Sequence, residues 1–326
     1  MTVVYPDASP IMRSLLDPAQ VALLPGFVVY EDAPKGEDEL IERLRGASAV
    51  VLGWTYIGER VLVACPEVKL ISFTGSGVGN FVDLAAATRR RVAVTNAPHY
   101  GDDTVAEHTL GLLLALARRI PALHRDLGRG RWKPGPPGRE LHGKTLGILG
   151  LGAIGSRVAR LGGALGMRVV AWTAHPSPER AVTNRVSFVS LEELAATSDV
   201  VSVHLPLTPA TRRLIDAAFL SRMRAGALLV NTSRGEIVDT AALVEALRNR
   251  HLAGAALDVF DEEPLPAWHP LLGMDNVVLT PHVGFYTMEA TARLLRMALE
   301  NVLAFFQGRP QHVVNPEALQ VTQTHS

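Results

Sequence analysis

Three polar residues stand just past largely apolar runs in the second half of the chain. Arg234 follows Leu228-Leu229-Val230-Asn231-Thr232-Ser233, Glu263 follows Leu257-Asp258-Val259-Phe260, and His282 follows Val277-Val278-Leu279-Thr280-Pro281. If these runs are parallel strands, their carboxyl ends share one edge of a sheet, where open α/β sheets bind ligands. Each side chain has a job there. Hydride transfer to a ketone leaves an alkoxide that needs a proton, and a histidine can supply it near neutral pH. A neighbouring carboxylate favours the imidazolium and fixes its orientation. An arginine offers a planar fork matched to a substrate carboxylate. Taken singly, each residue reads equally as a helix cap, a surface charge or a satisfied loop residue. Three at one edge describe 2-oxoacid reduction.

A source of hydride is implied earlier in the chain. Thr145 to Leu149 is a short apolar run of strand length. It leads into Gly150, Gly152 and Gly155, spaced G-x-G-x-x-G, and then into Val158, Leu161 and Leu165 at helical spacing. Strand, glycine turn and helix together are the context in which this pattern means dinucleotide binding. The first glycine allows a tight turn, the second lets the backbone approach a pyrophosphate, and the third lets helix and strand pack closely. Gly150, Gly152, Ala153, Ile154 and Gly155 are therefore candidate cofactor contacts, with the helix N-terminus presenting N–H groups to the phosphates.

The elements around these residues alternate. Phe27–Tyr30, Ala49–Leu52 and Leu70–Phe73 read as strands, with helices over Glu37–Leu44 and Gly58–Ala64 between them. Such alternation argues a parallel sheet with crossover helices. The turn Thr74-Gly75-Ser76-Gly77-Val78-Gly79 follows the third run, as a ligand loop or as a plain turn. Asp102 to Asp126 reads as one long helix, capped by Asp102, Asp103 or Thr104. Its apolar interior places it between two packed bodies, with Pro121 kinking it or marking its end. Residues 128–143 form an irregular, Gly- and Pro-rich arm whose Trp132 suits a partner subunit. Further strands are expected at Arg168–Trp172, Val200–Leu205, Ala227–Thr232, Ala253–Phe260 and Val277–Thr280. A final helix, capped by Thr287 and running to Phe306, follows the second sheet and is expected to return to the first body.

Bulk properties narrow the function classes. The chain has 326 residues, enough for two domains. A formal net charge of zero gives no reason to expect a nucleic-acid or anionic membrane partner. Arg89-Arg90-Arg91 reads as a solvated loop. The single cysteine, Cys65, allows no intrachain disulfide and no cysteine-built metal site, and His99, His108, His124, His142, His175, His204 and His269 are scattered without metal-ligand spacing. Leu110–Ala117 is too short for a membrane span, and Met1–Pro10 does not resemble a secretory signal. A cytoplasmic setting is the expectation.

The motifs G-L-G-A-I-G (150–155), V-N-T-S-R-G-E-I-V-D (230–239), A-A-L-D-V-F-D-E-E-P-L-P (255–266) and L-T-P-H-V-G (279–284), in this order, resemble the D-isomer-specific 2-hydroxyacid dehydrogenase family over nearly the whole chain. The resemblance implies an α/β protein of two Rossmann-like parallel-sheet domains. The nucleotide domain, 99–288, would be inserted into a discontinuous flavodoxin-like substrate domain, 1–98 plus 289–326, usually as a homodimer. It implies that Arg234 binds the substrate carboxylate and carbonyl, that His282 is the acid/base and that Glu263 orients it. Backbone N–H groups of Ser76 and Gly77 would hold the carboxylate, and Thr104 would touch the cofactor phosphates or nicotinamide end. Thr232 and Asp258 would lie at the nicotinamide. Formate dehydrogenases of the superfamily carry Gln where Glu263 stands, which disfavours formate.

Two positions depart from the family. Thr173 follows the second nucleotide-domain strand, where an Asp often grips the adenosine ribose. Without an acid the usual reason to exclude NADP is gone. The nearby cationic candidates are His175 and Arg180, and the cofactor reads as NAD or NADP. Gly79 stands where many members have Asp. Trp54, Tyr56 and Tyr286 read as pocket-shaping or as packing aromatics. The expected activity is hydride transfer between NAD(P)H and a small 2-oxoacid or D-2-hydroxyacid of the glyoxylate, hydroxypyruvate or pyruvate type. The alternatives are a corepressor-like NAD(H) sensor, for which the tail Gln320–Ser326 offers little, and a dehydrogenase for a phosphorylated or phosphonate acid.

Overall fold

The structure, a computed structural model, describes residues 1–24 and 26–320, so the tail from residue 321 lies outside the described residues. The chain forms two compact units, Met1–Gly101 with the residues from Tyr286 onward, and Asp102–Phe285. These divisions lie a few residues from the 98/99 and 288/289 boundaries expected from sequence.

The first unit carries β1 (Val3–Tyr5), β2 (Phe27–Val29), β3 (Ala49–Leu52), β4 (Leu70–Phe73) and β5 (Ala93–Thr95), all parallel, in the order β2-β1-β3-β4-β5. That is the flavodoxin-like order. β1, β3, β4 and β5 are buried along their whole length, as expected of strands covered on both faces. The helix Met288–Phe306 returns to this unit. The Thr287 hydroxyl caps it by accepting from the Ala290 N–H at 3.2 Å. Its buried stripe, including Leu295, Ala298, Leu299 and Val302, packs with Val3, Tyr5, Ala49 and Val51. The Ser72 hydroxyl of β4 donates to the Ala298 carbonyl at 2.9 Å.

The second unit carries β6 (Thr145–Leu149), β7 (Arg168–Trp172), β8 (Ser187–Phe188), β9 (Val200–Val203), β10 (Leu228–Asn231), β11 (Gly254–Leu257) and β12 (Val277–Leu279), again all parallel. The order is β12-β11-β10-β9-β6-β7-β8. This is the doubly wound dinucleotide-binding order with one added strand, and the chain reverses direction across the sheet at β6 and β9. Ligands bind beyond the carboxyl ends at that switch.

The single helix expected over Asp102–Asp126 is two helices, Asp102–Ala117 and Ile120–Gly128. Arg119 between them takes a left-handed conformation at φ 59°. Pro121, which cannot continue a helix interior, sits in the first turn of the second helix, where its missing N–H costs nothing. Thr104 is not a cap; it lies inside the first helix and is buried. Asp102 and Asp103 of the first turn both pair with Arg157. The first helix packs on the helix Ala153–Ala164 and on β10, β11 and β12 of its own unit, which accounts for its apolar faces. Trp132 is 88% exposed. No helix among the described residues is long and apolar enough to cross a membrane.

Candidate functional site

The turn after β6 has the geometry a dinucleotide needs. Gly150 sits at φ +95°, and a β-carbon there would lie 2.6 Å from the His204 carbonyl oxygen. At Gly155 a β-carbon would lie 2.0 Å from the Gly150 carbonyl oxygen. Both positions therefore require glycine on steric grounds. Gly152 differs: nothing lies within 4 Å of where its β-carbon would be. Its backbone faces open space at the N-cap of the helix Ala153–Ala164, and no side chain caps that helix. The first-turn N–H groups at Ala153, Ile154 and Gly155 are left for an anion, so the turn fits a cofactor pyrophosphate. Thr173 follows β7 and is half-buried.

Arg234, Glu263 and His282 follow β10, β11 and β12, three neighbouring strands whose last residues Asn231, Leu257 and Leu279 are in register. The turn bearing Arg234 is held by Asn231, which is 1% exposed. The Asn231 amide donates to the Arg234 carbonyl at 2.9 Å, and its oxygen accepts from the Ser233 N–H at 3.0 Å. A β-carbon on Gly235 would lie 1.9 Å from the Phe260 carbonyl carbon. That closeness brings the Arg234 turn against the turn that carries Glu263.

Glu263 bridges its own turn to the imidazole. Its Oε1 accepts from the Phe260 N–H at 2.9 Å, and its Oε2 lies 2.7 Å from His282 Nδ1. Burial alone would raise the Glu263 carboxyl. Hydrogen bonds from His282 and the Phe260 N–H, with the charges of His282 and Arg234, outweigh burial and hold it below the usual carboxylate range. His282 has a left-handed backbone at φ 53°, an uncommon conformation for a non-glycine residue. Its N–H donates to the Asp258 carbonyl at 2.8 Å.

Asp258 is the knot beneath this turn, at 1% exposure. Its Oδ1 accepts from the Thr280 hydroxyl at 2.6 Å and the Val283 N–H at 3.0 Å, and its Oδ2 from the Gly284 N–H at 2.8 Å. Burial would raise this carboxyl too, but the bonds from His108, Thr280, Val283 and Gly284 hold it low. The Asp258 carboxylate thus grips the residues on either side of His282.

His108 completes the knot, and nothing in its sequence spacing marked it. Its Nε2 lies 3.1 Å from the Thr280 hydroxyl and 3.3 Å from Asp258 Oδ1. Thr280 spends its hydrogen on Asp258, so Nε2 of His108 must be the donor. Replacing His108 with leucine is expected to lower kcat by roughly 10-fold, the scale of one hydrogen bond to a charged group, about 1.5 kcal/mol. KM for the acid should change little, because Arg234 is untouched. His108→Gln, which keeps a donor at the same reach, should recover most of the rate. Equal steady-state defects in the leucine and glutamine variants would contradict this.

Thr232 and Thr104, both buried, lie in the same unit. The Thr232 and Thr109 hydroxyls are 2.8 Å apart, tying the end of β10 to the first helix. Ser76 and Gly77 lie in the other unit, after β4, where the Ser76 carbonyl accepts from the Asn96 side chain at 2.9 Å. In that unit, buried Asp7 accepts from the N–H groups of Gly53, Trp54 and Thr55 at 2.9, 2.6 and 2.7 Å. It fixes the turn after β3, which presents the exposed Trp54 and Tyr56, and sequence reading missed it.

A family model for the NAD binding domain of the D-isomer specific 2-hydroxyacid dehydrogenases matches residues 110–284. A glyoxylate reductase of Aeropyrum pernix is 42% identical over 303 residues, which cover 89% of each chain. The crystal structure of the TT0316 protein from Thermus thermophilus superposes with a TM-score of 0.86 at 40% identity, over 96% of this chain and 100% of that one. The apo-structure of D-lactate dehydrogenase from Escherichia coli does so with a TM-score of 0.87 at 30% identity, over 96% and 100%. With these matches spanning both units and the glycine turn and strand-end residues in place, the chain belongs to the D-isomer specific 2-hydroxyacid dehydrogenase family.

Proposed function

We propose that this protein reduces a small 2-oxoacid of the glyoxylate, hydroxypyruvate or pyruvate type, and oxidises the matching D-2-hydroxyacid in reverse. It is an NAD(P)-dependent dehydrogenase, and a bound nicotinamide supplies or takes the hydride. The observation that carries the residue assignment is the 2.7 Å contact between His282 Nδ1 and Glu263 Oε2, with Glu263 on the strand end next to that of Arg234. With Nδ1–H donated to Glu263, the Nε2 atom of His282 is left to serve the substrate. Protonated, Nε2 gives its hydrogen to the carbonyl oxygen as that oxygen becomes a hydroxyl; neutral, it accepts the hydroxyl hydrogen in the reverse direction. Arg234 holds the substrate carboxylate and polarises the carbonyl. Asp258 holds the His282 turn and keeps the place at the nicotinamide expected from sequence, and Thr104 and Thr232 line the cofactor side. The Ser76–Gly77 turn is assigned a second carboxylate contact on the family reading alone. The exposed Trp132 arm supports a homodimer.

The test is oxidation of NADPH and of NADH, followed by absorbance, with glyoxylate, hydroxypyruvate, pyruvate and a phosphorylated 2-oxoacid. Turnover of an unphosphorylated acid is expected. Cofactor binding without turnover of any acid would replace this reading with a nucleotide sensor.

Glu263 also sets a pH dependence. Its folded value is depressed, so the grip on His282 is complete above the unfolded carboxyl value, about 4.3, and is lost as pH falls through the lowered folded value. Glu263→Gln removes the negative charge that supports the imidazolium. In that variant the acid-side loss of activity that follows protonation of the Glu263 carboxylate should disappear from the kcat profile, because glutamine does not titrate. Superimposable wild-type and variant profiles would contradict the pairing.

A further inference from the structure

The turn after β4 is clamped from the end of β5. The Gly75 carbonyl accepts from the Ala97 N–H at 2.9 Å, and the Ser76 carbonyl accepts from the Asn96 side-chain amide at 2.9 Å. A trans peptide is planar, and its N–H points opposite to its C=O. Fixing these two carbonyls toward residues 96 and 97 therefore turns the next two N–H groups, those of Ser76 and Gly77, away from them. Among the described residues neither N–H has an acceptor in the protein. Gly75 admits no side chain, since a β-carbon would lie 2.5 Å from the Phe73 ring.

Asn96 is itself held from the chain's last helix and the segment after it. Its N–H donates to the His312 carbonyl at 3.2 Å, and its carbonyl accepts from the Asn301 amide at 2.9 Å. Asn301, fully buried on the helix Met288–Phe306, has its Oδ1 2.9 Å from His312 Nδ1. Carbonyls only accept, so each asparagine turns its nitrogen to the carbonyl it meets, and Asn301 Oδ1 takes the His312 Nδ1 hydrogen. The Ala97 N–H already ties the turn to β5. The Asn96 side chain adds an orienting bond to an exposed residue, Ser76, and covers little apolar surface there. We propose that Asn96 is a positioning residue for the substrate: through the Ser76 carbonyl it aims the Gly77 N–H, beside that of Ser76, at the substrate carboxylate. The proposal rests on the carboxylate contact assigned to this turn above and adds what holds the turn in its binding form.

Steady-state kinetics and amide NMR on the full chain test it. Asn96→Ala should raise KM for glyoxylate about 10-fold, the scale of one hydrogen bond to a charged group. Its kcat should change little, because the carboxylate is bound alike before and during hydride transfer. Asn96→Asp has the same shape but only accepts when ionised, so it should not recover KM; a side chain that merely fills space would be replaced by it. Oxamate carries the carboxylate and accepts no hydride. Added to wild-type protein saturated with reduced cofactor, it should move the Ser76 and Gly77 amide resonances, and in either variant the Gly77 response should shrink. If Asn96→Ala does not fold, Asn96→Asp and the wild-type resonances decide. Wild-type KM in either variant, a loss confined to kcat, or unmoved Ser76 and Gly77 resonances in the wild type would overturn the proposal and leave the dehydrogenase standing. No turnover of any 2-oxoacid by the wild type would end both.

Discussion

Replacing His282 with alanine is expected to lower kcat for 2-oxoacid reduction by roughly 10²–10⁴-fold, the usual contribution of a positioned acid. The loss should fall on kcat, because the imidazole gives its proton only as the carbonyl oxygen gains charge. Cofactor affinity should stay within error, since the glycine turn after β6 makes no use of His282. The fold should also survive. The ring is part-exposed, at 40% of its side-chain surface, and the backbone bonds that hold the turn end on Asp258 rather than on the imidazole. Alanine at φ 53° carries some strain, so His282→Asn, which tolerates that region better, is the companion variant. Both should be slow. A variant that binds cofactor and turns over near the wild-type rate would remove His282 from the chemistry.

Replacing Arg234 with alanine should damage kcat/KM on the order of 10²–10³-fold, within the about 2–5 kcal/mol lost when one partner of a buried charge pair is truncated. The guanidinium has one bond to its own turn, Nη1 to the Ser233 carbonyl at 2.7 Å. Its remaining donors can serve a carboxylate and the adjoining carbonyl. KM should rise and kcat should fall together, because the fork both holds the acid and polarises the reacting bond. Arg234→Lys restores the charge but not the planar pair of donors, so it should recover KM more than kcat. Steady-state kinetics on both variants separates these effects. An alanine variant with wild-type KM for every 2-oxoacid would contradict the assignment.

Local signals made much of the fold readable. The glycine turn announces itself because each glycine answers a steric need within a few residues of sequence or one neighbouring strand. Gly150 and Gly155 would clash and Gly152 lies open. Strand-end positions of Arg234, Glu263 and His282 followed from short apolar runs; those before Arg234 and Glu263 are buried strands, and that before His282 is the half-buried edge strand β12. The return of the Met288–Phe306 helix followed from its place in the chain after the last strand of the second sheet. What failed was long-range or short. The His108–Asp258 contact joins residues far apart in sequence through polar atoms, which leave no periodic trace. Asp7 holding the 53–55 turn is of the same kind. β1 and β5, at three residues each, are too brief to show a period. The break at Arg118–Arg119 was hidden by continuous helix-forming residues on both sides, although Pro121 marked it nearby.

One measurement reaches the claim on which all of this stands. Wild-type protein is mixed with glyoxylate and a reduced nicotinamide dinucleotide deuterated at both C4 positions, and the product is read by mass spectrometry. Glycolate carrying one deuterium on C2 is the expected result, with the hydroxyl hydrogen drawn from solvent through His282. Glycolate without the label, or none formed while glyoxylate, hydroxypyruvate and pyruvate all remain unreduced, would contradict it.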